Sequence, residues 1–176
     1  MTLSAEPPPY QDYNPSELVI RAIRPQDAEG LTKVLTLPGV RSGTLRQPFQ
    51  SVAQTLRFIE NLSPTDIVIV AEWRGMILGN AGLQAHLGRR KHSASLGMGI
   101  HDDFTGKGIG TQLLEKLMDA ADNWHAITRV ELNVFTDNDA AIRLYEKFGF
   151  EKEGTLRQYA FRNGAYADCY MMSRLR

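Results

Sequence analysis

The chain has 176 residues, 43% of them hydrophobic and 23% charged, and twenty basic residues balance twenty acidic ones. That is the profile of one globular domain large enough to bury a core, with no net field to draw it to nucleic acid or an anionic membrane. No apolar run is long enough for a bilayer span, the N-terminus lacks a secretory signal's charged and apolar regions, and the single cysteine, Cys169, cannot form an internal disulfide. A cytoplasmic protein without nucleic-acid or membrane partners is therefore expected.

The opening "MTLSAEPPPYQDYNPSE" holds four of the eight prolines and little periodicity. It reads as a flexible leader over residues 1–16, ahead of one domain over residues 17–176. A first strand is expected from Leu18 to Ile23, then a helix with Pro25 near its start. "PGVRSGTLRQPFQS" is punctuated by Pro38, Gly39, Gly43 and Pro48, and reads as a long loop. "VAQTLRFIENL" follows as a short helix. "DIVIVAEW" and "MILGNAGLQAH" are β-rich runs around the turn pair Arg74-Gly75, and "ASLGMGIH" is a further strand.

Next come a glycine stretch and a helix running to about Ala126. "RVELNVF" is a strand with a Val130, Leu132 and Val134 face. "NDAAIRLYEKFGF" is a short helix closed by Gly149. Asn163-Gly164 between two alternating runs predicts a terminal hairpin, because both central residues of that turn need positive φ. The β-α-α-β-β-β-α-β-α-β-β pattern predicts an α/β fold of the mixed α+β kind, with a mixed sheet and helices on both faces. Cys169 lies in the alternating "ADCYMMSRL" and reads as a packed structural residue rather than a reactive thiol.

"FTGKGIGTQLLEKL" places Gly106, Gly108 and Gly110 where a helix begins. A dinucleotide fingerprint needs G-x-G-x-x-G, but Thr111 stands where its last glycine should be. A phosphate-binding P-loop needs Ser or Thr after Gly-Lys, but Lys107 is followed by Gly108. The physics outlasts both motifs, since a glycine turn opening a helix leaves backbone N–H groups facing outward with the helix dipole behind them. Ile109, Leu113, Leu117 and Trp124 form the apolar stripe expected to anchor this helix. A plain strand-to-helix turn would need the same glycines. Two other features favour a ligand: Gly97 and Gly99 interrupt the preceding strand, and Asn138 and Tyr145 lie two helical turns apart on one face. Tyr145 alone would read as core; together these features describe a site for a long phosphorylated thioester.

The chain resembles the GNAT superfamily of acyl-CoA-dependent N-acetyltransferases from about Leu18 to Leu175. "TGKGIGTQLL" is similar to the family's pyrophosphate loop, except that Thr105 replaces the usual Gln or Arg, and "NDAAIRLYEKFGFEKEG" is similar to its second signature. "GTLRQPF" and "GTLRQYAFRNGAYADCYMM" resemble the bacterial L-amino-acid N-acetyltransferases, and less closely the polyamine and ribosomal-protein acetyltransferases. The resemblance implies a GNAT fold with a mostly antiparallel twisted sheet of about seven strands. It implies acetyl-CoA as co-substrate, no metal, and a homodimer, for which the hairpin aromatics Tyr159, Phe161, Tyr166 and Tyr170 are candidate contacts.

By the same resemblance the strand around Met98, Gly99 and Ile100 splays from its neighbour, which carries Asn133, to admit the pantetheine arm. Thr105, Gly106, Lys107, Gly108, Ile109, Gly110 and Thr111 surround the pyrophosphate, and Asn138 faces the pantetheine. Tyr145 becomes the general acid; a phenol of pKa about 10 is protonated at neutral pH and can quench a departing thiolate. Arg41, Thr44, Leu45, Arg46 and Gln47 of the long loop are the expected acceptor contacts.

Many relatives carry a glutamate base on the strand before the loop, but "SASLGMGI" has no carboxylate. Glu72, His86, His92 and Ser95 are candidates for a water relay instead. His86 and His92 flank "RRK" in what reads as a solvated connection, and His101, Asp102 and Asp103 read as a polar strand end rather than metal ligands. The missing base favours a free amino acid's α-amine, with peptide pKa about 7.7–8, over a lysine side chain at about 10.4. Arg41 and Arg46 are candidates for its carboxylate. Protein or polyamine acetylation, and a non-catalytic acyl-CoA sensor, are the alternatives.

Overall fold

Alternating apolar runs from residue 67 onward build the middle of a seven-stranded sheet. The computed structural model describes residues 12–176. The strands are β1 (Val19–Ala22), β2 (Ile67–Trp73), β3 (Met76–Ala85), β4 (Ser93–Ile100), β5 (Arg129–Phe135), β6 (Glu151–Arg162) and β7 (Ala165–Leu175), in the spatial order β1-β2-β3-β4-β5-β7-β6. Every neighbouring pair is antiparallel except β4 and β5, which run parallel. Two hairpin turns follow from local chemistry: Arg74-Gly75 and Asn163-Gly164 all take positive φ, as two-residue turns between twisted strands require.

Helices α1 (Ala28–Leu35) and α2 (Pro38–Gly43) cover one face, where Leu31, Val34, Leu35 and Val40 pack with Val70 and Ile77. Helix α3 (Val52–Glu60) starts at a Ser51/Gln54 capping box, and Thr55 bonds Thr32 of α1 at 2.7 Å. On the other face, α4 (Ile109–Asn123) and α5 (Asp139–Lys147) contribute Ile109, Leu113, Leu117, Ile142 and Tyr145 to the larger core with Leu78, Leu83, Leu96 and Leu132. The strand alternation of period two sends neighbouring residues to these two opposite cores.

Two expectations are corrected. Residues 38–43 form a helix rather than the start of a loop, because Pro38 opens it and a carboxylate 62–63 residues away caps it. Asp102, just after β4, accepts the N–H groups of Gly39 (2.8 Å) and Val40 (3.1 Å), a signal invisible in the local sequence. Trp124 does not extend the apolar stripe of α4; the helix ends at Asn123 and the indole is 79% exposed, while Met118 and Ala121 complete the buried face. The leader expected over residues 1–16 lies outside the described residues up to 11. Beyond that point Tyr13 already packs edge-on against Trp73 (5.5 Å) and Phe104 (5.2 Å).

The irregular places in the sheet position the site. β4 and β5 pair only from Ser93↔Arg129 to Ser95↔Glu131 and then separate. β6 shifts register between Leu156 and Ala160, with Gln158 at φ 51° and its N–H bonded to Asp168 at 2.7 Å.

Candidate active site

A cavity of about 940 Å³ fills the wedge between the separated ends of β4 and β5. At its mouth, Gly106 (φ 75°) and Gly108 (φ 82°) hold left-handed conformations that turn the chain into α4. Side chains with a Cβ resist that region, so glycine is required there. No side chain among the described residues caps α4, and the first-turn amides of Ile109, Gly110 and Thr111 have no intrahelical acceptors. Gly110 serves a different purpose: it is helical, and a Cβ there would meet Leu144 Cδ2 at 3.0 Å. Its smallness lets α4 approach α5. The Thr105 hydroxyl donates to the Asp102 carbonyl (3.0 Å), bracing the turn.

Midway along the cavity, Asn138 caps α5 by accepting the Ala141 N–H at 3.2 Å. Two turns later Tyr145 lines the wall, only 7% exposed, and burial pushes its phenol up to about 12. It therefore holds its proton throughout the neutral range. On the opposite wall, Asn133 of β5 donates to the Tyr159 hydroxyl at 2.9 Å. Tyr159 reaches the cavity because the β6 bulge aims it there; sequence reasoning missed this placement, since register shifts leave no local signature. Cys169 also lines the cavity, and burial pushes its thiol up to about 11, so it is inert by chemistry.

The structure brings Met98, Gly99, Ile100, Thr105, Gly106, Gly108, Ile109, Gly110 and Thr111 to one lining, with Asn133, Asn138, Tyr145, Thr44 and Leu45. Four expected residues do not join it. Lys107 places its ammonium over the Phe104 ring at 4.6 Å, and Gln47 is exposed. Arg46 lies over Phe58 of α3 (5.7 Å), where burial lowers its pKa. Arg41 sits on α2 between the lining residues Val40 and Gly43, with its Nε–H buried and without a partner among the described residues.

At the closed end, Ser95 and Glu131 line the floor. Glu131 is 8% exposed; burial raises its pKa, but Arg90 (2.6 Å) and Arg129 (3.0 Å) outweigh that and hold the carboxyl below the usual range. β4 carries no carboxylate but its neighbour β5 does, and the parallel register sets Glu131 beside Ser95. His86 Nε2 lies 2.9 Å from Ser95 Oγ. The other relay candidates go elsewhere. Glu72 is bound by Arg21 at 2.6 Å on the β1 side of the sheet, and His92 is exposed outside the lining. His101 Nδ1 accepts the Asp103 N–H while Asp102 caps α2.

A wedge between parallel strands, with free amides at one end and a buried phenol midway, suits an enzyme that takes an acyl group from a long phosphorylated carrier. Residues 39–150 match the acetyltransferase (GNAT) family. The L-amino acid N-acetyltransferase AaaT of Escherichia coli (strain K12) is 34% identical over 162 residues, spanning 92% of this chain and 99% of that protein. The chain belongs to the GNAT acetyltransferases, and is an acyltransferase. The crystal structure of a GNAT-family acetyltransferase from Streptococcus pneumoniae superposes with a TM-score of 0.81 at 28% identity, covering 91% of this chain and all of that one. A spermidine N-acetyltransferase from Vibrio cholerae, solved with CoA and spermine, shares the fold at a TM-score of 0.80 and 24% identity, over 91% of this chain and 96% of its own.

Proposed function

We propose that the chain transfers an acetyl group from acetyl-CoA to the α-amine of a free, hydrophobic L-amino acid. The observation that carries this is the continuous cavity from the uncapped start of α4, past Tyr145, to Ser95 and Glu131. The pyrophosphate would lie on the amides of Ile109, Gly110 and Thr111, where unsatisfied N–H groups and the helix dipole favour an anion. The pantetheine would follow the gap between β4 and β5, with the thioester beside Tyr145. Attack by the neutral amine forms the C–N bond, the C–S bond breaks, and the phenol protonates the leaving sulfur. Holding both reactants in one cleft supplies much of the rate.

Similarity to an L-amino acid N-acetyltransferase over almost the whole chain supports an amino-acid acceptor. Of the two arginines considered for its carboxylate, Arg41 is favoured, because its buried Nε–H has no partner among the described residues and an anion would satisfy it. Arg46 is already occupied by Phe58. A homodimer in the cytoplasm is part of the same proposal, with the exposed Phe161 and Tyr166 of the last hairpin as candidate contacts; a concentration-independent monomer mass in light scattering would remove the dimer.

The test of the activity is CoA release from acetyl-CoA across free amino acids, spermidine and lysine-containing peptides. Turnover concentrated on hydrophobic amino acids is expected. Polyamine or peptide turnover with inert amino acids would overturn the acceptor, and no turnover with any amine would leave only a sensor of acyl-CoA.

A further inference from the structure

The acceptor arrives as an ammonium and must lose a proton before its nitrogen can attack, yet β4 offers no carboxylate. Glu131 is the acidic group of the floor, but both of its oxygens are held by guanidinium groups, Oε1 by Arg90 and Oε2 by Arg129. A carboxylate so engaged is a poor proton acceptor. Ser95 lines the cavity, and His86 Nε2, outside the lining, lies within hydrogen-bond distance of the Ser95 hydroxyl at 2.9 Å. The same nitrogen is 3.6 Å from Glu131 Oε1, and the imidazole is 23% exposed, so a proton taken there is stabilised by a carboxylate and has a route to water.

We propose that Ser95 and His86 form the base of this enzyme, Ser95 Oγ receiving a proton from the acceptor ammonium while its own hydroxyl proton passes to His86 Nε2. The proposal rests on the acetyltransfer described above. It requires the imidazole tautomer with hydrogen on Nδ1, so that Nε2 accepts from the hydroxyl. The neutral amine then attacks the thioester carbonyl, and the C–S bond breaks with its electron pair on sulfur. Tyr145 protonates that sulfur and regains a proton from the nitrogen of the new amide. The imidazolium releases the remaining proton to solvent, so one proton leaves per turnover. Glu131 is a positioning residue: it faces His86 from β5 and takes its own charge partners, Arg90 and Arg129, with it. Asp66 lies on the other side of the β3 end, accepting the Ala85 N–H at 3.2 Å.

The experiment is the pH profile of kcat/KM for the best amino-acid acceptor, in the wild type and in His86→Gln, Ser95→Ala and His92→Gln. CoA binding and melting temperature are measured on each, so that a folding defect in one variant leaves the other to decide. The wild type should show an acid limb that reports protonation of the relay. His86→Gln and Ser95→Ala should lose about 10²-fold at pH 7 and lack that limb. Their deficit should narrow above the acceptor's own pKa, where the amine arrives neutral, and His92→Gln should match the wild type. Both variants keeping the limb, with rates within about threefold of wild type, would overturn the base and leave the acetyltransferase standing. A wild type that acetylates no amine would overturn both, and is read before any variant is made.

Discussion

The two ends of the cleft are built from different materials. The mouth is backbone: two glycines at positive φ and a helix start with no cap, all within six consecutive residues from Gly106 to Thr111. The floor is side chain: Ser95 lies on β4 and Glu131 on β5, and behind Ser95 stands His86, which follows β3. A backbone anion site suits any phosphate and needs only local geometry. A side-chain site can distinguish one acceptor from another, but only if distant elements meet in the right register. Under the proposed function, the general part of the reaction falls at the local end and the selective part at the assembled end.

Disabling the chemistry between the two ends should have the largest effect. Tyr145→Phe is expected to lower kcat about 10²-fold while leaving CoA affinity nearly unchanged, because the ring is buried in the core and only the proton donor is lost. Single-turnover rates alongside CoA titration separate the two, and full activity would reduce Tyr145 to packing.

Next comes the mouth. Gly108→Val forces a β-branched residue to φ 82°, a strain of about 1–3 kcal/mol. It should weaken CoA binding about tenfold or more and shrink the CoA-induced rise in melting temperature. Gly110→Ala should differ sharply from it: the new methyl asks only the flexible end of Leu144 to move, and alanine gains about 1 kcal/mol of helix propensity over glycine. If both substitutions cost the same, the distinction between a conformational and a packing glycine fails.

Acid should loosen the floor before the mouth. Arg129 bridges Glu131 and Glu153, and hydrogen bonds from Arg129 and Ser173 hold Glu153 down from 4.5 to about 2. A carboxyl with a depressed folded pKa stabilises fully above its unfolded value, and that stability is lost as pH falls through the folded value. Melting temperature should therefore decline between pH 4.5 and about 2. Glu153→Gln should lie below the wild type at pH 6 and converge with it near pH 2. Parallel curves would show that the ion pairs contribute nothing. The smallest effect belongs to a residue outside both ends: Trp124→Ala should change stability by no more than about 0.5 kcal/mol, since the indole is 79% exposed.

The same division explains how much was legible beforehand. Most strands and helices are legible in the sequence, because their cause is local periodicity and turn chemistry, as at Asn163-Gly164. The glycine turn, Asn138 and Tyr145 were legible for the same reason, the last two being seven residues apart on one helix. The helix over residues 38–43 was not, since its cap comes from Asp102. Nor were the outward swing of Trp124, the turning of Arg46 onto Phe58, or the arrival of Tyr159.

The sequence by itself determined most of the elements, the amide-lined mouth and the phenol, because each of these depends on contacts within about two helical turns or one hairpin. Only the tertiary structure decided what the floor contains. The pairing of β4 with β5 for three residues sets Glu131 beside Ser95, and the end of β3 brings His86 within 2.9 Å of that hydroxyl. The physical reason is register: the side-chain period of a strand is two, so a slip of one residue would turn Glu131 to the opposite face and bring Val130 or Leu132 to the floor instead.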